Sequence, residues 1–473
     1  MKFSLIVACD KQNGIGKDNA LPWKFKEDME FFKNMTRGKK DNKNVLVMGS
    51  NTFESIQRKS LGHDRLTIVI TSHKSKYSSI VSEDIIFTDL VSPYSIRELI
   101  LKNFYDYAVE EVFYCGGEKI YKELEKYTVL LDNIFVTHID AVYDCDTKIN
   151  LNAFTFCKIK QDYYWTTSHG VKLSFVNYIS YFNTMEEENS YLRLCKKILI
   201  EGENRDDRTG VGTLAVFGER LEFSLTKNVI PILTTKKVAI KSVIKELLWF
   251  ISGSTDSNLL EKDGVKIWKG NTTREFLDKR GLTDLNEGDI GAGYGFQWRH
   301  YGAEYKGMQE DYENQGIDQL AEVVSLIKND PFSRRILFTG WNPVALNRMA
   351  LPPCHMMAQF FVSSHGTLSC QMYQRSADMF LGVPFNIMSY ALLTCLIAHV
   401  CDLKPHKLTM CFGDTHIYKN HIDQVMTQLS RTCYEFPKLE LNNDVKNLFD
   451  FKFEDIVIKN YKSHEGIKAP MAV

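Results

Sequence analysis

The sequence predicts an α/β (α+β) chain of two domains, and three observations predict it. The chain has 473 residues, 44% hydrophobic and 25% charged, an ordinary globular balance at a length that allows more than one core. Residues 1–182 alternate short apolar runs with amphipathic ones, the pattern of strands interleaved with helices. From 190 to 473 the texture shifts to longer helical patterns and more Trp, after the acidic polar stretch "NTMEEEN" at 183–189, which reads as a short junction.

The first apolar run, Phe3–Ala8, is shorter than the ~7–15 residues of a secretory leader's apolar core. It reads as a buried strand over 3–9. Further strands are expected at 44–48, 65–71, 85–88, 110–114, 132–138 and 171–182, and helices near 25–36, 51–58, 94–103 and 117–126. In the second domain the clearest helical patterns are "IKSVIKELLWFISG" (240–253) and "SYALLTCLIAHVCDL" (389–403). No apolar run is read as reaching the ~20 residues of a membrane span, so no membrane partner is expected. A net charge of −1 argues against a basic nucleic-acid binder, so any anionic ligand must be held by local clusters. The eleven cysteines form no CxxC pair; no metal site is expected, and reduced thiols in the cytoplasm are the simplest reading.

Three features of the first domain bear on chemistry. At ~100° per residue, Phe25, Met29, Phe32 and Met35 share one stripe of the first helix, and Asp28 falls inside it. A carboxylate on a buried face is costly unless bonded, and its pKa should rise. It is either bonded to a neighbouring element or the floor of an apolar pocket, able to accept two parallel hydrogen bonds from an amidine-like edge. "VMGSNTFESI" (47–56) and "FYCGGEKIYKEL" (113–124) each run from strand through Gly49, or Gly116 and Gly117, into a helix, an arrangement that suits phosphate. No GxGxxG is present.

In the second domain "MALPPCHMMAQFF" (349–361) sets Cys354 and His355 after two prolines, either a buried Cys beside a satisfied His or a nucleophile held still. Arg208, the pair Arg334–Arg335, and Arg375 with Ser376 are each singly compatible with solvated surface. Together they fit a dianionic phosphate and would favour a nearby thiolate. On the strand "GDTHIY", Asp414, His416 and Tyr418 point to one face, suited to a sugar hydroxyl or simply polar. Glu246 lies among Val243, Trp249 and Phe250 at helical spacing, a candidate proton relay.

On "NGIGKDNALPW" (13–23), Asp28, "MGSNTFESI", "DRLTIVITS" (64–72), "CGGEKIY" (115–121) and "FVTHID" (135–140), residues 1–182 resemble dihydrofolate reductase. The resemblance implies a central mixed sheet flanked by helices and NADPH-dependent reduction of dihydrofolate. By that resemblance Asp28, hydrogen-bonded to Thr137, holds the pterin, Phe32 faces the ring, Val7 and Ala8 floor the pocket, and Arg65 binds the glutamate carboxylate. NADPH would be lined by Ala8, Ile15, Gly49, Ser50, Asn51, Thr52, Thr71, Ser72, His73, Gly116, Gly117, Glu118, Lys119, Ile120 and Tyr121. Ser50 stands where many relatives carry a basic residue near the 2′-phosphate; Lys74 and its neighbours supply other donors.

On "DDRTG", "PILTTKK", "ELLWF", "FQWRH", "DPFSRRI", "ALPPCH", "QRSADMFLGVPFN", "GDTHIY" and "GIKAPMAV", residues 185–473 resemble thymidylate synthase, which implies a sheet with long helices. The resemblance implies that Cys354 adds to dUMP, with 5,10-methylenetetrahydrofolate as cosubstrate, giving dTMP and dihydrofolate. Catalytic roles would fall to Cys354, Glu246, Arg375 and Asp378. The nucleotide would meet Arg208, His355, Gln374, Arg375, Ser376, Asp378, Asn386, His416 and Tyr418, with Arg334 and Arg335 from a second subunit of a homodimer. Trp268, Asn271, Asp378, Gly382 and Val473 would face the folate. An amide at Asn386 both donates and accepts, matching uracil, whereas an ionised Asp would only accept. Ala292 and Gly293 replace a Pro and a branched aliphatic usual in the family. The second domain would make the dihydrofolate that the first consumes, the bifunctional arrangement of protists and plants. A folate- or RNA-binding regulatory homologue, active at one site or none, is the other reading.

Overall fold

The computed structural model describes residues 1–38, 42–56, 64–80, 82–104, 107–155, 158–180, 187–207 and 209–471. The chain forms two units, Met1–Met185 and Glu186–Val473.

The first unit is built on β1 (Lys2–Cys9), whose residues are buried on both faces, as a central parallel strand requires. The other strands are β2 (Gly14–Gly16), β3 (Asn42–Gly49), β4 (Arg65–Ile70), β5 (Ile85–Thr88), β6 (Ala108–Tyr114), β7 (Asn133–Ile139), β8 (Thr147–Lys148), β9 (Lys158–Ser168) and β10 (Val171–Ser180). Eight form one mixed sheet in the order β5-β4-β3-β6-β1-β7-β10-β9, parallel up to β7 and antiparallel beyond it. The helices are α1 (Lys26–Thr36), α2 (Ser50–Ser55), α3 (Pro93–Asn103), α4 (Glu118–Leu124) and α5 (Leu151–Thr155).

Strand β9 is absent from the expectations because "KIKQDYYWTTS" lacks alternation. It is a sheet edge whose Tyr163, Tyr164 and Trp165 are exposed. Helix α2 ends at Ser55, short of the expected 58; residues 57–63 lie outside the described residues. In α1 the buried face centres on Asp28, Phe31 and Thr36, with Phe32 and Met35 half-buried. Met29 is 54% exposed, contrary to the expected stripe. One residue past Asp28 is ~100° around the helix, which carries Met29 off a face centred on Asp28 and Phe31.

The second unit opens with α6 (Glu187–Glu201), so the last residues of the expected junction are helical, and Glu188 and Asn189 are buried. Its remaining helices are α7 (Ile240–Ile251), α8 (Ser257–Lys262), α9 (Arg274–Lys279), α10 (Gly295–Arg299), α11 (Gln319–Asn329), α12 (Gly382–Val400) and α13 (Ile422–Leu429). Its strands are β11 (Glu203–Arg205), β12 (Thr213–Ser224), β13 (Leu337–Thr339), β14 (His355–Val362), β15 (Thr367–Asp378), β16 (Lys404–Tyr418), β17 (Lys438–Leu441) and β18 (Ile456–Lys459). Six make a sheet in the order β11-β12-β16-β15-β14-β13, with β15 and β16 parallel.

Helix α12 starts seven residues before the expected 389, because Pro384 falls in its first turn, where a missing N–H breaks no intrahelical bond. At 19 residues it is long and apolar enough to cross a membrane, unlike the expectation that no such run exists, yet 15 of its 19 residues are buried. It packs on β15 and β16 as a core helix, which explains apolar residues on all sides.

Candidate active sites

In the first unit the site grows from the buried face of α1. Asp28 is 7% exposed; burial pushes its carboxyl up to about 6, against a hydrogen bond from the Thr137 side chain. Thr137 is level with Ala8, and Val136 with Val7, in the parallel β1–β7 pair. Ala8 and Phe32 both border the same apolar cluster. The structure thus gathers Asp28, Thr137, Ala8 and Phe32. Arg65 is held at the end of α1, its Nη2 donating to the Lys33 carbonyl at 3.0 Å and its Nε to that of Thr36 at 3.4 Å. That fixes the guanidinium in place beside the helix end.

The two glycine turns meet. The Gly49 N–H donates to the Gly116 carbonyl at 2.7 Å, and a Cβ on Gly117 would lie 3.2 Å from Thr52 Oγ1. Gly116 has φ +116°, a conformation that demands glycine. Helices α2 and α4, of six and seven residues, are short, so amide N–H groups and absent side chains matter more there than a macrodipole. β3 and β4 end level, Gly49 beside Ile70, which sets the Ser50–Thr52 turn next to Thr71–His73. The His73 N–H donates to Thr71 Oγ1 at 3.1 Å, and Ser72 Oγ lies 3.0 Å from His73 Nδ1. Lys74 is paired with Asp89 at 2.7 Å. Glu118 and Lys119 are exposed, whereas Ile15, Ile120 and Tyr121 are buried, Tyr121 donating to the Ile6 carbonyl at 2.9 Å. The buried Asp10, which no sequence signal marked, ties down the loop before Ile15 by accepting from the N–H groups of Gln12, Gly14 and Tyr143.

In the second unit, Cys354 immediately precedes β14 and is clamped through its backbone. Its N–H donates to the Tyr294 hydroxyl at 3.2 Å and its carbonyl accepts from the Arg375 N–H at 2.9 Å. The Arg375 side chain donates through Nε to the Pro353 carbonyl at 2.9 Å and through Nη2 to that of Pro352 at 3.0 Å. Arg375 therefore holds the turn that carries the thiol. Tyr294 has φ +45°, an uncommon conformation for a bulky side chain, costing on the order of 1–3 kcal/mol and typical of functional sites. Its ring stacks on Phe250 at 5.1 Å and touches Trp268 and His355. Sequence reasoning gave Tyr294 no role; its place between Gly293 and Gly295 was the available signal.

Burial pushes Glu246 up to about 7, while Trp268 Nε1 donates to it at 2.8 Å. Burial drives the His355 imidazole down to about 3, so it is neutral, with Nδ1 2.8 Å from the Tyr390 hydroxyl. Asp378 Oδ1 accepts from the N–H groups of Phe380 and Leu381, 3.0 and 3.2 Å away. A Cβ on Gly382 would lie 3.7 Å from Asp378 and 3.9 Å from Asn386, which groups these three. Asp378 is level with His416, and Ser376 with Asp414, across the β15–β16 pair. His416 Nδ1 is 2.8 Å from Asp414, and Tyr418 packs edge-on to His416. Gln374 is buried; its Nε2 donates to the Ser376 carbonyl and its Oε1 has no bonding partner among the described residues. Asn271, also buried, closes a turn on the Trp268 carbonyl.

Arg334 and Arg335 are not brought to this site. Both are exposed, and the Arg334 carbonyl accepts from Gln359, five residues along β14 from Cys354, roughly 17 Å at strand rise. Arg208 and Val473 lie outside the described residues. Among those residues no cluster of His, Cys, Asp or Glu could hold a metal ion.

Comparison with known proteins matches residues 2–180 to the dihydrofolate reductase family and residues 189–473 to the thymidylate synthase family. A bifunctional dihydrofolate reductase-thymidylate synthase of Paramecium tetraurelia is 42% identical, over 100% of this chain and 99% of its own. One from Arabidopsis thaliana is 42% identical, covering 100% and 88%, and one from Leishmania major 40%, covering 100% and 95%.

Proposed function

Since the chain belongs to the family of bifunctional dihydrofolate reductase–thymidylate synthases, we propose a specific division of labour among its residues. The second unit converts dUMP and methylenetetrahydrofolate to dTMP and dihydrofolate, and the first reduces dihydrofolate to tetrahydrofolate. In the second, the Cys354 sulfur adds to ring carbon six of dUMP, making the adjacent carbon the nucleophile that takes the one-carbon unit. The observation that carries this reading is the clamp on Cys354: with Tyr294 and Arg375 holding its backbone, the sulfur is presented without a search. Arg375 Nη1, not engaged by the turn, reaches the phosphate with Ser376 and Arg208. Glu246, poised near neutrality, relays protons. Asn386 reads uracil, His416 and Tyr418 the ribose hydroxyl, and Gln374 Oε1 is an acceptor awaiting a donor. Trp268, Asn271, Asp378 and Gly382 face the folate.

A homodimer through the second unit fits the Arg334–Arg335 pair, remote from its own Cys354 and without a carboxylate within 4.0 Å among the described residues. On the same sheet Leu337, Met357, Phe361 and Tyr373 are exposed, an apolar face of the kind that a second subunit covers.

In the first unit Asp28 receives the pterin amino and ring N–H groups and raises the proton affinity of the bond to be reduced, with Phe32 against the ring and Arg65 on the glutamate carboxylate. The abutting, side-chain-free turns at Gly49 and Gly116–Gly117 fit a dinucleotide backbone, and the Ser50–Thr52 and Thr71–His73 donors suit its phosphates. NADPH, when bound there, supplies the hydride. A reducing, cytoplasmic setting agrees with the absence of any disulfide at the ten cysteines among the described residues.

Two separate assays test this. Cys354→Ser should abolish dTMP formation and adduct trapping by a 5-fluorinated dUMP, with NADPH oxidation by dihydrofolate intact; parallel loss of both activities refutes the separate sites.

A further inference from the structure

Neither active site uses the carboxylate that opens the second unit. Glu188, in the first turn of α6, is 2% exposed. Its two oxygens accept from the Thr234 and Thr235 N–H groups at 2.9 Å and from their hydroxyls at 2.6 and 2.7 Å. The direction of these bonds is settled by their neighbours. Thr234 Oγ1 accepts from the Tyr434 N–H at 2.8 Å and Thr235 Oγ1 from Gln428 Nε2 at 2.9 Å. Each hydroxyl proton is therefore left to point at Glu188, and the carboxylate faces four donors.

The turn so held bears on two parts of the synthase site. On one side it carries the C-terminal segment. The Thr234 carbonyl accepts from the His464 N–H at 2.8 Å, and the Thr235 carbonyl from Arg431 Nη1 at 2.8 Å, which also bonds the Glu465 carbonyl at 2.7 Å. The Tyr461 hydroxyl joins Leu233 O and Val238 N at 2.8 and 3.0 Å. Further along, His421 Nε2 bonds the Pro470 carbonyl at 2.7 Å while its ring packs on Phe380 and Tyr418. On the other side, the next residue, Lys236, is buried, donates to the Phe380 carbonyl and sits 3.6 Å from the centre of that ring. Phe380 is in turn held by Asp378 through its N–H.

We propose that Glu188 is a positioning residue for the synthase reaction: by receiving all four donors of Thr234 and Thr235, it sets together the C-terminal segment and the Lys236–Phe380–Asp378 corner against which the folate cosubstrate is held. The inference rests on the synthase assignment of this unit and on Asp378 facing folate. A carboxylate suits the post because a carboxamide would turn an NH2 toward one pair of donors, leaving them unpartnered.

The test compares Glu188→Gln and Thr235→Val with the parent full-length protein. KM for methylenetetrahydrofolate, Kd for dUMP, reductase turnover, and hydrogen exchange of peptides covering 461–470 are measured. For Glu188→Gln the expectation is a rise of about tenfold in folate KM, the equivalent of one lost charge-assisted bond. Exchange at 461–470 should be faster, dUMP binding within about twofold of the parent, and reductase turnover unchanged. Thr235→Val should move the same quantities the same way by less, and it carries the test if the Gln variant does not fold. Unchanged folate KM and exchange in the folded variants, or equal weakening of folate and dUMP, would overturn the proposal. A parent protein that makes no dTMP would overturn the synthase assignment instead.

Discussion

Replacing Asp28 by Asn should make the first unit more stable at neutral pH while disabling it. Burial raises the Asp28 carboxyl from 3.8 to about 6. A shift of roughly two units, at about 1.4 kcal/mol each, means that the ionised group costs the folded state about 3 kcal/mol at pH 7. Between the two values the folded protein binds more protons than the unfolded chain, so this group makes stability fall as pH rises from about 4 to about 6 and adds no further slope above that. Asn does not ionise, and its carbonyl oxygen can keep the Thr137 hydrogen bond. The gain at pH 7 should lie between about 1 and 3 kcal/mol, the lower figure allowing for the amide's own desolvation. Hydrogen exchange of β1 and β7 amides in the full-length protein, read without ligands at pH 5 and 7 and corrected for intrinsic rates, gives the unfolding free energy of this unit. Protection should favour Asp28→Asn at pH 7, with the advantage shrinking toward pH 4, and dihydrofolate reduction should fall steeply. A variant no more stable than its parent at pH 7, or an advantage independent of pH, would refute the argument that Asp28 is a desolvated charge retained for chemistry.

The other perturbations concern the second unit. Glu246→Gln should remove the inflection near pH 7 from the pH profile of synthase kcat; retention of that inflection would assign it to another group. Tyr294→Phe strips the acceptor from the Cys354 N–H while keeping the ring stacked on Phe250, and an unpartnered amide costs about 1–3 kcal/mol. Synthase kcat/KM should drop roughly 10- to 100-fold with reductase turnover unchanged. Asn386→Asp should shift nucleotide preference from dUMP toward dCMP, measured as the ratio of kcat/KM values; an unchanged ratio would remove the hydrogen-bond reading.

What could be read ahead of the structure was whatever chemistry lay within one segment. Asp28 was visible because a carboxylate interrupts an apolar helix face, and burial with a raised pKa followed. Cys354 was visible because two prolines and a histidine frame it, and the glycine turns because each follows a strand. Met29 was misplaced because periodicity locates a stripe but not its centre, which depends on what the helix packs against. Strand β9 escaped because an edge strand with few buried residues needs no alternation. The acidic stretch at 183–189 read as a short junction because its residues are polar and a glutamate is seldom buried; nothing local announces that Thr234 and Thr235 will wait for Glu188.

The sequence by itself determined the two-domain α/β architecture and singled out the candidate carboxylate Asp28 and the candidate thiol Cys354, since periodicity and motif spacing are local properties of the chain. Only the tertiary structure decided how they are held: Tyr294 and Arg375 around Cys354, Thr137 on Asp28, Glu188 beneath the Thr234–Thr235 turn. Each of those pairings joins residues far apart along the chain, and a hydrogen bond that depends on distance and direction exists only once packing has set both.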